Sequence, residues 1–334
     1  MKSLVSKWDH NQDNLSDNKV LRVNWHLGNT CTYKCSYCDP KLNNGDKPWI
    51  NIAAAKKIVD DIIAVYREKY NKTIFIFELT GGEPTVYPGI EELCNHMKSL
   101  GIYVQLCTNG SRTVRWWEEN AKNFTSITNS YHVEFTDVKH LTAVCNTVLD
   151  QNVTANVLVL LDPLHFDKVK NDIEYMKEFG NFGIAVRRVY DRNPFITRSY
   201  EYTPEQLDYL NDNVIIKEKI SVEFPQEMRY RTIMIKDETS LNVNENAMFN
   251  TKDNDFLGWD CYAGIDTLSL DVTGNILPAY CYTGYKQVIG NWLTDNLADL
   301  QWPLGPMKCG DTKCICVHDM RARKIKNLNE IFSE

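Results

Sequence analysis

The chain reads as an α/β protein, on two observations. From about residue 20 to 190, short apolar segments with a two-residue period alternate with longer segments of helical period. After Asp191 that rhythm fails and a cysteine-rich end follows. Alternation of this kind implies a mainly parallel sheet with right-handed crossovers. Six strand–helix units suit either an open doubly wound sheet or an incomplete barrel, and periodicity alone does not choose between them.

The elements follow in order. "LRVNWHL" alternates Leu21, Val23, Trp25 and Leu27 as a strand does. Residues 52–66 place Ile52, Ala55, Ile58, Val59, Ile62, Ile63 and Tyr66 on one helical face, with Asn51 as N-cap. "TIFIFEL" is the second strand, and a helix after Pro88 runs to a stop at Gly101. "IYVQLC" is the third strand, with a helix over 113–122. Strands at 127–135, 153–161 and 182–189 alternate with helices at 138–149 and 166–179. The region 200–254 is polar, with a helix expected at 203–211 and a strand at 220–224. A hairpin is expected around Thr273-Gly274-Asn275. The expected division is an N-terminal extension (1–19), an α/β domain (20–199), a connecting segment (200–254) and a small C-terminal domain (255–334).

The chain has 334 residues and a net charge of −7, so nucleic-acid backbone is an unfavourable partner. The first twenty residues lack a signal-peptide core, and the most apolar run, "VLVLL", is too short to span a bilayer. A cytoplasmic protein is expected. In a reducing compartment eleven cysteines point to metal rather than a disulfide framework. Cys94, Cys107 and Cys145 lie inside expected elements and read as core; the others form an early and a late group.

The early group is "CTYKCSYC". Cys31, Cys35 and Cys38 can hold three corners of a four-iron cluster, whose usual ligands are four thiolates. The vacant corner can bind a small molecule. The alternative is zinc completed by a distant His or Asp, but zinc thiols usually come as spaced pairs. In "TGGEPT", after the second strand, Gly81 and Gly82 permit close backbone approach and Glu83 offers an anion to an ammonium.

These two motifs resemble the radical S-adenosylmethionine (SAM) superfamily: Cys-x₃-Cys-x₂-Cys with an aromatic, Tyr37, before the third cysteine, then the GGE turn. The resemblance covers about residues 20–190 and implies a partial (β/α)₆ TIM barrel. It implies that the open iron of a [4Fe-4S] cluster binds SAM, and that one electron cleaves SAM to a 5′-deoxyadenosyl radical that abstracts hydrogen from substrate. It places Tyr37, Gly81, Gly82 and Glu83, then Thr108 and Asn109 of "CTNGS", Ser130 of "NSYHVE" and Arg187 of "AVRRV" around SAM. A flavodoxin or ferredoxin reductant is implied.

The late group is Cys261, Cys281, Cys309, Cys314 and Cys316, with the hairpin between the first two. It resembles the Twitch domain, the short form of the SPASM extension, and implies one auxiliary [4Fe-4S] cluster; which thiol is spare stays open, and zinc is the alternative. A small-molecule substrate is favoured over a peptide, because about twenty residues before the first strand are too few for a winged-helix peptide module. Candidates for a base at strand ends are Glu134, Tyr190 and Asp191. A reading from another class is a non-catalytic protein whose thiols only hold the fold.

Overall fold

A computed structural model describes residues 5–6, 19–38, 40–189, 200–217, 232–236, 239–243, 248, 250, 254–280, 288–310, 314 and 316–325. Tyr190, Asp191, Cys281 and the strand expected at 220–224 lie outside them. In chain order the elements that matter are β1 (Val5–Ser6), β2 (Val20–His26), α1 (Ile52–Tyr70), β3 (Ile74–Thr80), α2 (Ile90–Ser99), β4 (Tyr103–Thr108) and α3 (Val114–Asn120). Then come β5 (Ser126–Tyr131), α4 (Val138–Asp150), β6 (Thr154–Leu161), α5 (Phe166–Phe179), β7 (Gly183–Arg188), α6 (Pro204–Asp212) and β8 (Ile215–Lys217). The remainder is β9 (Thr232–Lys236), β10 (Thr239–Val243), β11 (Asp260–Cys261), β12 (Thr267–Leu270), β13 (Asn275–Leu277), β14 (Gly290–Asn291), β15 (Met307–Lys308), α7 (Val317–Met320) and β16 (Lys324–Ile325). No described helix is long and apolar enough to cross a membrane.

The chain divides into two compact units, one of residues 25–56 and 77–223, the other of residues 1–24, 57–76 and 224–334. In the first, strands β3 to β7 lie side by side in chain order, and β4–β5, β5–β6 and β6–β7 pair parallel. Helices alternate with them, and the sheet does not close: β8 ends it antiparallel to β7. This is an α/β fold with an open, partial barrel. The antiparallel β8 was not legible as a strand, being three residues long and half exposed.

Local chemistry explains the borders. Asn51 caps α1, its Oδ1 accepting the N–H groups of Ala53 and Ala54 at 2.9 and 3.4 Å. Gly101 takes φ +76° just past α2, as expected of a helix stop. The fifth strand ends at Tyr131, four residues earlier than expected. There the His132 carbonyl accepts the Phe135 and Thr136 N–H groups, and Thr136 Oγ1 accepts the His132 N–H, folding 132–136 into a turn. The apolar residues Val133 and Phe135 had mimicked a strand period.

The two faces of the sheet differ. Val104, Leu106, Ile127, Tyr131, Val157, Val159, Ile184 and Val186 are buried and form the core. The other face is half-buried and polar: register aligns Cys107 with Thr128 and Thr128 with Asn156, while Ser130, Leu158 and Ala185 form the next row. Arg187 stands two residues beyond Ala185 on the same face. Cys94 and Cys145 are core as expected, but Cys107 is not: it sits on this inner face, 3.6 Å from Ser130 Oγ. Burial pushes its thiol up to about 11, with the Glu78 carboxylate adding to the rise and Arg187 opposing it.

In the second unit β12 and β13 form the expected hairpin, Ser269 opposite Leu277, with Gly274 at φ +91° in the turn. β11 runs between β15 and β16, antiparallel to both. Asp266 is fully buried; Lys72 Nζ meets its Oδ1 at 2.9 Å and Arg323 Nε its Oδ2 at 2.6 Å.

Candidate functional site

The cysteine loop leaves the end of β2 and has little regular structure of its own. Among the described residues a backbone bond crosses it from Cys38 N–H to Cys35 O at 3.1 Å. Its shape comes from neighbours. Thr30 O accepts the Glu83 N–H at 2.8 Å, tying the start of the loop to the Gly-Gly-Glu turn after β3. Gly81 and Gly82 have φ of +86° and +52°, and a Cβ on Gly82 would stand 2.3 Å from Thr30 O. Gly82 is therefore required by close approach of the turn to the start of the cysteine loop, and Gly81 by its approach to His26 and Gly28, each 2.9 Å from where a Cβ would stand.

Glu83 is fully buried. Its Oε1 accepts from Thr85 N–H at 3.1 Å, Thr85 Oγ1 at 2.6 Å and Thr108 Oγ1 at 2.7 Å; its Oε2 accepts the Asn109 N–H at 2.7 Å. One carboxylate thus joins the ends of β3 and β4. Asn109 then reaches back, its Nδ2 donating to Thr32 Oγ1 at 2.9 Å and to Cys31 Sγ at 3.7 Å. Thr32 and Ser111 also meet, at 2.8 Å between hydroxyls. Neither had a signal in the sequence beyond lying beside a motif.

The far side of the loop rests on the turn after β5. Tyr37 Oη and His132 Nδ1 are 2.7 Å apart, and Glu134 accepts the Ser36 N–H at 2.8 Å and its hydroxyl. His132 was missed by the sequence reading; its one signal was its place two residues after Ser130. Burial holds the His132 imidazole down to about 4, so it is neutral at pH 7.

Thus Cys31, Cys35, Cys38, Tyr37, Gly81, Gly82, Glu83, Thr108, Asn109 and Glu134 share one hydrogen-bonded neighbourhood. Ser130 and Arg187 stand on the inner sheet face. Cys35 is 7% exposed, whereas Cys31 and Cys38 are half-buried. Burial raises the Cys31 thiol and pushes Cys35 up to about 12, against a Tyr37 hydrogen bond that favours its thiolate. A bound metal reverses that balance, because coordination deprotonates the thiol. Among the described residues no three His, Cys, Asp or Glu side chains are grouped closely enough for a single metal ion. A four-iron cube takes one thiolate at each iron and has no such requirement. Soft thiolates with N–H donors on sulfur, here Tyr33 N–H on Cys31 Sγ at 3.4 Å, suit an iron–sulfur group.

Residues 25–146, which contain the loop, the turn and β5, match the family model of the radical SAM superfamily. This stretch is similar to a radical SAM domain. The family's cofactors are SAM and a [4Fe-4S] cluster. Curated relatives include an S-adenosylmethionine-dependent nucleotide dehydratase of a Fibrobacter species, 30% identical over 96 residues, 28% of each chain. A 7-carboxy-7-deazaguanine synthase of Haemophilus influenzae is 36% identical over 84 residues, 25% of this chain and 34% of that one. The likeness therefore spans about a third of the relatives' length. Among solved structures, Streptococcus suis SuiB bound to precursor peptide SuiA has a TM-score of 0.56 at 14% identity, covering 84% of this chain and 64% of that one. Native anSMEcpe with bound AdoMet has 0.54 at 16%, covering 84% and 80%. At such identity these neighbours establish the fold alone.

Beyond residues 25–146, the second unit holds the late cysteines. Cys261 lies in β11, opposite Met307 and Lys324; Cys309 follows β15, its N–H bonded to Trp259 O at 2.7 Å. Cys314 donates its N–H to Asn254 O at 2.8 Å, and Cys316 sits at the start of α7. Burial pushes Cys261 up to about 11, with Cys314 and Cys309 adding and Lys324 opposing. No disulfide joins any described cysteine.

Proposed function

We propose that this chain reductively cleaves SAM and uses the resulting 5′-deoxyadenosyl radical to abstract hydrogen from a small-molecule substrate. The observation that carries the reading is the three-thiol loop braced by the Gly-Gly-Glu turn at Thr30 and by Asn109 at Cys31. Cys31, Cys35 and Cys38 would hold the [4Fe-4S] cluster, which would supply the electron and the binding corner for SAM. The chain's own residues do the rest. Tyr37, Gly81, Gly82, Thr108 and Asn109 form the wall on which SAM rests, Ser130 and Arg187 meet its polar groups from the inner sheet face, and Glu83 keeps this wall fixed. A buried, enclosed site protects a radical from quenching.

The named relatives act on a nucleotide and make a carboxy-deazaguanine, which favours a polar heterocyclic substrate over a peptide; the half-buried inner face, with Gln105, Thr128 and Asn156, supplies matching donors and acceptors. The peptide-bound neighbour supports the second reading, modification of a peptide side chain. Cys261, Cys309, Cys314 and Cys316, with Cys281, are proposed to hold one auxiliary [4Fe-4S] cluster in a Twitch-like domain over 255–334. A flavodoxin or ferredoxin is the proposed reductant. The test is anaerobic reconstitution, iron and sulfide counting, then incubation with SAM and dithionite. About eight irons and release of 5′-deoxyadenosine are expected. Cys35→Ala abolishes SAM cleavage, and Cys261→Ala leaves the first cluster's spectrum in place. Zinc in place of iron under iron-replete, oxygen-free conditions overturns the assignment at that site.

A further inference from the structure

Between the three cysteines lie three residues, Tyr33, Ser36 and Tyr37, that the turn after β5 holds one by one. Tyr33 stacks on Phe135, ring centroids 5.3 Å apart and planes within 20°, and meets the edge of His132 at 6.1 Å. Ser36 gives both its N–H and its hydroxyl to Glu134, 98 residues away. Tyr37 bonds to His132. The turn can bear this because it is fixed itself, by three bonds between residues 132 and 136 and by Asp137, whose Oδ1 caps α4 through the N–H groups of Lys139 and His140.

We propose that Glu134 is a positioning residue for the cluster: it clamps the loop between Cys35 and Cys38 and, as a fixed carboxylate, keeps the cluster's potential low. This inference rests on the radical SAM reading above. The clamp follows from geometry. A loop held largely by its neighbours' side chains loses three ligands together if it opens, and Glu134 accepts two of the bonds that stop it opening. The electrostatic half follows from charge. Adding an electron to a cluster beside a negative carboxylate is disfavoured, and net charge near the cluster is one of the levers on its potential. The carboxylate is held on Ser36, the residue next to Cys35, which places its charge at the loop between two of the thiols. Reductive cleavage of SAM needs a cluster at the low end of the range, so a nearby anion serves that chemistry. Glu134 is then an anchor of the loop.

The test uses the full chain, reconstituted anaerobically, as wild type, Glu134→Gln, Glu134→Ala and Ser36→Ala. The readouts are iron content, EPR-monitored redox titration without SAM, and the rate of iron loss to a chelator. Glu134→Gln keeps the shape and can still bond Ser36, so it should take up a full cluster whose midpoint potential is more positive than wild type. Glu134→Ala and Ser36→Ala should lose iron from this site at least fivefold faster than wild type. Equal potentials in wild type and Glu134→Gln, or iron loss from Glu134→Ala at the wild-type rate, overturn the inference while leaving the radical SAM reading intact. A wild-type chain that binds no four-iron cluster through Cys31, Cys35 and Cys38 overturns both.

Discussion

Gly82 shows how a residue can be legible for one reason and constrained by a second. Its place after a strand and before Glu83 marks close backbone approach, and in sequence the obvious object of that approach is a ligand. The object that the fold presents is Thr30 O, which already accepts the Glu83 N–H. That carbonyl cannot retreat from a new methyl group without giving up its bond. Gly82→Ala, at φ +52° with 2.3 Å to Thr30 O, should therefore cost about 1–3 kcal/mol of strain. The expected outcome is a lower melting temperature together with reduced iron uptake at Cys31. An unchanged iron content would show that the loop keeps its shape without the turn. Thr32, Ser36 and His132 illustrate the opposite case. Each is a common polar residue whose partner lies 77 to 98 residues away, and nothing local distinguishes it.

Among the elements, those with a strong period and a cap were legible to within a few residues, because burial of one face and satisfaction of end N–H groups are local demands. The fifth strand was not, since Val133 and Phe135 continue its alternation into a turn. The physical arbiter is Asp137, which commits the chain to α4 by accepting two N–H groups and leaves 132–136 no room to extend. Asp137→Ala should destabilise α4 by about 1 kcal/mol. It should also loosen the turn that carries Glu134, so hydrogen exchange at 132–136 should quicken more than at the distant α2. Uniform exchange across both would mean that the turn holds itself through the His132 carbonyl alone.

For the molecule as a whole, the repeating strand–helix rhythm and the two cysteine groups were visible because each is a pattern within a short window. The buried charge cluster of the second unit was not, because Lys72 and Asp266 are 194 residues apart, and Asp266 and Arg323 57. Burial works against the Asp266 charge, but Lys72 and Arg323 overcome it and hold the carboxyl below the ordinary carboxylate range. A depressed carboxyl contributes stability above its unfolded value and loses it as pH falls through the folded one. This contribution is therefore present at neutral pH and disappears only in acid. Removing one cation is a harsher change than removing the whole cluster, because it leaves a buried anion undercompensated. Lys72→Met should cost about 3 kcal/mol at pH 7. The loss should shrink toward acid pH, where Asp266 takes up a proton in the variant sooner than in wild type. Denaturant melts of both proteins between neutral and acid pH measure this directly. A Lys72→Met deficit that stays constant across that range would assign the cost to packing of the lysine stem instead of to the charge it carries.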